Sequence, residues 1–277
     1  MTQLSAPSVR ALTVFVEGIG LLGPGLSSWA QGRQHLDGSL PYQTARCVLP
    51  LPMALPSAER RRVSAVVKVS LAVGQEAVDA SGHQANSLPS VFSSSSGDPV
   101  NCHEICSALA SGDRLISPTR FHNSVHNASS GYWSISSGAM VTSSVLCARD
   151  ASFAAGLLEA MTQSFVDDSP VLLVAYDADY PEPLHSKRPL PNAMGVALVL
   201  SPMRSERSLA QITLQCPGYL TTTAADTMTD AALETLRNSI PAARALPLFQ
   251  AIAKKSATPL VLAYLDDVQM ALEVAPC

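Results

Sequence analysis

Basic blocks, long apolar runs and a dense cysteine framework are all missing from this 277-residue chain. Phosphate backbones are bound by stripes of Lys and Arg. Here the net charge is −4 and the longest basic run, Arg60-Arg61-Arg62, reads as a solvated helix start, which argues against nucleic acid. No stretch approaches the roughly 20 apolar residues that span a bilayer. The opening MTQLSAPSVRALTVF has neither the charged head nor the cleavage site of a leader, so a cytoplasmic protein without a membrane span is expected. The cysteines, Cys47, Cys102, Cys106, Cys147, Cys216 and Cys277, are scattered, against a disulfide scaffold. Charge itself is scarce: 14% of residues are charged and 47% hydrophobic, with mean hydropathy +0.19. That is rich in apolar surface for a soluble monomer, and the surplus points to an interface.

Catalytic signatures are equally sparse. There is no G-x-S-x-G motif, no legible Ser/His/Asp arrangement, and no histidine in residues 201–277. Cys102-His103-x-x-Cys106 offers soft ligands, but no second pair completes a four-ligand zinc site, so neither metal nor cofactor is expected. Gly18-x-Gly20-x-x-Gly23 follows a strand as a dinucleotide fingerprint does, yet Pro24-Gly25 stand where a phosphate-binding helix should start. A nucleotide-binding module at GIGLLG stays open as an alternative. His122 and His126 would face one another on a helix, but FHNSVHNASSGYW is dense in turn formers and reads as a loop carrying aromatics. Structural, interface and pocket roles all remain open there.

What is present alternates between strand and helix signals. A strand at 12–17 leads into the turn-rich GIGLLGPG and a polar helix through Trp29 towards Gly38. A proline-rich loop (Pro41, Pro50, Pro52, Pro56) precedes a largely buried helix over 60–80. SVFSSSSGD, at 90–98, gives a short strand and a Ser/Gly turn before a helix over 100–111. PVLLVAY (170–176) and AMGVALVL (193–200) are continuous apolar strands of the buried parallel type. The C-terminal part reads as a strand at 210–215, a Thr-rich loop, a helix over 241–255, and strands around 260–264 and 268–274 joined at Asp266-Asp267. The pattern is α/β, in a single domain over 1–277.

SSVLCARDASFAAGLLEA, residues 143–160, has the form of a strand, an elbow and a helix beginning near Ala151. A helix N-terminus favours negative charge and lowers a thiol's pKa. The same field suits a carboxylate, so Asp150 fits there as a cap without a catalytic role.

These segments resemble a known family. LTVFVEGIGLLGPGLSSWAQGRQHLDG resembles the opening of β-ketoacyl-acyl carrier protein synthases, where a strand enters a Gly/Pro loop and a helix with a central Trp or Phe. RRRVSAVVKVSLAVGQEAVDASG, FHNSVHNASSGYWSI and RPLPNAMGVALVL are similar to three further segments of that family, in the same order. The resemblance is strongest over 11–200, with 201–277 a shortened C-terminal part completing the sheet. It implies a thiolase-like (ketosynthase-like) fold of α/β/α layers, truncated to mainly the N-terminal half. In the family the nucleophilic cysteine lies twelve positions after the glycine corresponding to Gly138 and ten before the alanine corresponding to Ala160; both counts land on Asp150. Cys147 falls three residues early. The family's two catalytic histidines belong to a second half that this chain is too short to contain.

The resemblance is therefore to truncated, non-catalytic chain length factors, above all those of aryl polyene biosynthesis. It implies a heterodimer with a catalytic ketosynthase that acts on an acyl carrier protein-bound polyene intermediate. The family pairs its pre-elbow strand across the dimer axis, so Thr142, Ser143, Ser144, Val145, Leu146 and Cys147 are expected at the interface, with Asn123, His126 and Asn127 close by. Phe121, Trp133 and Phe153 are the bulky candidates for limiting the acyl tunnel. The alternative is a standalone acyltransferase using Cys147.

Overall fold

In the computed structural model, residues 10–216 and 218–277 are described; most of the segment read for a leader, residues 1–9, lies outside them. The first strand, β1 (Arg10–Leu22), buries Leu12, Val14 and Val16 on one face. It runs straight through GIGLL, where the sequence suggested a turn. A register shift between Val16 and Gly18 marks a bulge against β5 (Met194–Ser201). The glycines serve packing: a Cβ on Gly18 would stand 2.0 Å from the Ala77 carbonyl oxygen, and one on Gly20 1.9 Å from that of Val73. Their absence of side chain lets helix α3 lie directly on the strand.

In chain order the helices are α1 (Trp29–Leu36), α2 (Ser57–Arg60), α3 (Ala65–Ser81), α4 (Pro99–Ala110), α5 (Pro118–His122), α6 (Ala128–Ser137), α7 (Ser152–Val166), α8 (Leu184–Lys187), α9 (Ala231–Ser239) and α10 (Leu246–Lys254). The remaining strands are β2 (Ser90–Ser93), β3 (Ser143–Leu146), β4 (Val171–Asp177), β6 (Ala210–Cys216), β7 (Leu220–Thr221), β8 (Thr258–Leu262) and β9 (Gln269–Pro276). They form one sheet in the order β3-β2-β4-β5-β1-β6-β9-β7, with β8 paired to β9. Every residue of β4 and β5 is buried. Along β4, Val171, Leu173 and Ala175 face a cluster with α7 and α10, while Leu172, Val174 and Tyr176 face one with α3 and Trp133. The sheet thus lies between two helical layers.

Several expectations change. β4 and β5 pair antiparallel, and parallel pairing is confined to β2 with β3 and with β4. A continuous apolar run reports burial on two faces, not strand direction. The helix read over 60–80 is broken: Arg60 ends α2, and α3 starts at Ala65 and stops at Gly82, whose φ of 71° only glycine adopts freely. FHNSVHNASSGYW is mostly helical, in α5 and α6. Its serines turn their hydroxyls back onto the helix, as Ser130 does to the Asn127 carbonyl and Ser137 to that of Trp133, so turn formers are accommodated inside a helix. Helix α9 went unread although Asp230 caps it, accepting from the Ala232 and Leu233 N–H groups. The helix expected over 241–255 begins as a 3₁₀ turn, Pro241–Ala245.

Because a methyl on Gly20 meets backbone rather than a flexible side chain, Gly20→Ala should push α3 off β1 and cost about 3 kcal/mol. The urea midpoint reads this directly; an unchanged midpoint would show that the helix shifts freely.

Candidate functional site

Among the described residues edge strand β3 pairs with β2 alone, leaving its other side open. After Leu146 the chain passes Cys147 and Ala148 into a 3₁₀ turn, Arg149–Ala151, and then α7. Arg149 takes a left-handed φ of 51°. Ser152 ties the turn: its Oγ accepts from the Ala148 N–H at 3.0 Å and donates to the Arg149 carbonyl at 2.7 Å. The result is a sharp elbow with Asp150 at its centre.

Asp150 does not cap α7, contrary to the sequence reading, since no side-chain bond is made at that N-cap. Instead one carboxylate oxygen accepts from Arg188 Nη2, and the other lies 3.4 Å from Arg244 Nη2. Arg188 comes from the loop between β4 and β5, where its Nη1 also donates to the Tyr180 hydroxyl at 3.2 Å. Arg244 comes from the 3₁₀ turn before α10. A carboxylate engaged by two guanidiniums is a poor nucleophile and a good ionic tie. Being half-exposed, each pair contributes about 1 kcal/mol or less.

Cys147 lies one residue beyond β3, not inside it. Its thiol is exposed and donates to the Ser95 carbonyl at 3.1 Å. Among the described residues no imidazole hydrogen-bonds to Cys147 or Asp150.

Sequence reasoning missed Asp177, the acid that ends β4. It is shut from solvent and accepts from the Ser95 N–H at 3.0 Å and the Ala242 N–H at 2.9 Å. Burial pushes its carboxyl up to about 6, against the pull of those hydrogen bonds. Its one signal was a lone acid closing an apolar strand.

Ser143 and Ser144 are held from inside the fold, by Ser90 Oγ at 3.0 Å and Gln163 Nε2 at 3.0 Å. Thr142 accepts from the Ser90 N–H through its carbonyl, while Val145 and Leu146 are half-buried. Asn123 departs from the interface reading: it is buried, donating to the Arg62 carbonyl and accepting from the Tyr132 hydroxyl. It joins α5 to α6. His126 is half-buried beside Gly97, and burial lowers its pKa; Asn127 is exposed. Leu115, Phe121, Val125 and Met140 in the same stretch are large, apolar and exposed.

The three tunnel candidates do not converge. Phe121 is 68% exposed. Phe153 is buried on the α7 side of the sheet, its ring 6.5 Å from that of Phe249. Trp133 is buried on the α3 side, 6.5 Å from Phe92. Of the three, Trp133 alone lines the large cavity of about 960 Å³ beside α3. Gly18 and Gly20 are in a strand, and so do not form the phosphate loop of a nucleotide site. Cys102 and Cys106 are exposed on α4. Among the described residues no group of three His, Cys, Asp or Glu side chains is placed to hold a metal, and no helix is long and apolar enough to cross a membrane.

A mixed sheet between helical layers, with a strand–elbow–helix at its edge, defines a ketosynthase-type fold. The chain belongs to the family described as beta-ketoacyl synthase, N-terminal domain, whose model matches residues 28–259. Solved structures agree. A chain of the ketosynthase (ApeO) in complex with its chain length factor (ApeC) from Xenorhabdus doucetiae superposes with a TM-score of 0.69 at 22% identity, covering 94% of this chain and 99% of that one. The ishigamide ketosynthase/chain length factor gives 0.71 at 10% identity, covering 95% and 99%. A beta-ketoacyl synthase from Burkholderia phymatum gives 0.55 at 14% identity, covering 83% and 70%. These likenesses establish the thiolase-like fold. No curated protein matches at the level of sequence.

Asp177 makes a prediction. Its folded pKa is raised from 3.8 to about 6, so between those values the folded state holds a proton that the unfolded chain has released. Its contribution to stability is full below pH 3.8, falls by about 2 kcal/mol as pH rises from 4 to 6, and is lost above that. Urea midpoints at pH 4, 5, 6 and 7 should show this slope in the native protein and lose it in Asp177→Asn. Parallel curves for the two proteins would refute the assignment.

Proposed function

We propose that this chain is a non-catalytic, chain-length-factor-like subunit that pairs with a catalytic ketosynthase and shapes the tunnel in which an acyl chain grows. The observation that carries this is Asp150 at the elbow, engaged by Arg188 and Arg244. Acyl transfer at that position calls for a thiolate and a base, whereas a mixed anhydride on aspartate would be far more labile than a thioester.

The extent of the structural matches supports the same reading. Chains of the two ketosynthase–chain length factor structures are covered to 99% of their length, but the Burkholderia synthase only to 70%. So does the open side of β3, which the exposed Met140 and Val141 closely precede in the chain. An edge strand beside apolar side chains is a liability in a monomer and a docking element in a dimer. The pathway we assign is aryl polyene or a related polyketide synthesis, acting on acyl carrier protein-bound intermediates in the cytoplasm.

Native mass of the chain co-expressed with a ketosynthase encoded beside its gene tests the pairing. A stable one-to-one complex is expected; a lone monomer or homodimer would overturn it. Met140→Glu, at a side chain 96% exposed, should weaken the complex by about tenfold or more without disturbing the fold. In the intact pathway Cys147→Ala should keep full product formation. Loss of product with the complex intact would instead favour a standalone acyltransferase using Cys147.

A further inference from the structure

The cavity beside α3 belongs neither to the elbow nor to the β3 edge. It lies on the α3 side of the sheet, whereas α7 packs on the other. Its floor is one stripe of α3: Lys68, Leu71, Ala72, Gln75, Glu76 and Asp79. Those positions recur at three- and four-residue steps, so they share a helix face, and at 1.5 Å per residue the stripe is about 16 Å long. Leu22 and Leu26, at the end of β1, form one wall. A strap over residues 45–54 forms the other, presenting Val48, Leu51 and Met53, which are 82%, 68% and 67% exposed.

The strap is preformed. Pro50 and Pro52 restrict its backbone, the Cys47 N–H donates to Asn192 Oδ1 at 3.2 Å, and the Leu55 N–H donates to the Pro52 carbonyl at 3.0 Å. A cavity of about 960 Å³ is at the upper end of those that enclose small molecules.

Charge around the groove selects the ligand. Glu76 is engaged, accepting from the Leu21 N–H at 2.9 Å and the Trp29 N–H at 2.7 Å. Asp79 accepts from Gln75 Nε2 at 2.7 Å, and Arg46 is paired with Asp179 at 3.2 Å. Lys68 differs: it is half-buried in the groove, and among the described residues no carboxylate lies within ion-pair distance of it. The groove's acids and its arginine are thus already engaged, and a cation without a carboxylate partner in a mainly apolar groove favours an anion whose remainder is apolar.

We propose that this groove binds a medium-chain amphiphile, its apolar tail along Leu71, Ala72 and the strap and its anionic head, carboxylate or phosphate, on Lys68. The site is separate from the subunit pairing proposed above and stands without it.

Titration calorimetry of the purified chain, or of its complex, with decanoate, decyl phosphate and uncharged decanol below their aggregation limits tests this. Both anions should bind more tightly than decanol, and whichever binds tighter identifies the head group. Lys68→Met keeps the aliphatic stem and removes the charge; it should weaken the anions by about tenfold or more while leaving decanol within about twofold. Ala72→Trp fills the floor and should abolish binding of all three. Leu51→Trp, on the exposed strap, gives the same readout if the helix variant fails to fold. No binding of either anion to folded protein at about 1 mM would overturn the proposal. So would affinities unchanged by both Lys68→Met and the filling variant, or equal losses for anion and alcohol in Lys68→Met.

Discussion

The buried carboxylate of Asp177 is the tie on which the elbow depends. It joins the end of β2, through the Ser95 N–H, to the C-terminal 3₁₀ turn, through the Ala242 N–H, across 82 and 65 residues of sequence. Ser95 in turn receives the Cys147 thiol on its carbonyl, and Ala242 stands two residues before Arg244, which reaches Asp150. One acid therefore sets the position of both neighbours of the elbow. Burying it costs solvation of the charged form, as its raised pKa records, and that cost is tolerable only because each oxygen finds a backbone donor.

The layers around this tie explain what the sequence could and could not reveal. PVLLVAY and AMGVALVL were legible as buried strands because burial on both faces leaves an unbroken apolar run. Their antiparallel pairing was not, because direction depends on which loop returns the chain and leaves no mark on composition. The glycines of GIGLL were visible but ambiguous: a turn, a phosphate cradle and a close helix crossing all call for a missing Cβ. Only the proximity of the Val73 and Ala77 carbonyls separates them. The serine-rich α6 misled for the opposite reason, since hydroxyls that favour turns in isolation also bond back to helix carbonyls once Tyr132 and Trp133 are buried.

The candidate site divides in the same way. Position 150 was found by counting between two family anchors, and the chain does place Asp150 at the centre of a strained elbow. Its partners were out of reach of any local pattern: Arg188 and Arg244 lie 38 and 94 residues away and meet only because β4, its following loop and the C-terminal turn converge. Asn123 and Phe121 show the limit of a segment-level resemblance. Both fall in one stretch, but one points inward to Arg62 and Tyr132 and the other outward to solvent.

The acid at the elbow and the two arginines are best understood together. A thiol in place of Asp150 would leave Arg188 and Arg244 facing each other with no counter-charge, and like charges brought close in a partly buried site repel strongly. Conversely, a carboxylate without those guanidiniums would have a helix N-terminus for company and no fixed geometry. The three side chains form a unit in which each makes the others tolerable, and on the reading proposed above that unit stands where a synthase would carry its acyl group. On the same reading, Asp150→Cys alone would not rebuild a synthase. The thiol would arrive beside two cations that stabilise a thiolate but with no imidazole bonded to the elbow to manage the proton transfers of condensation.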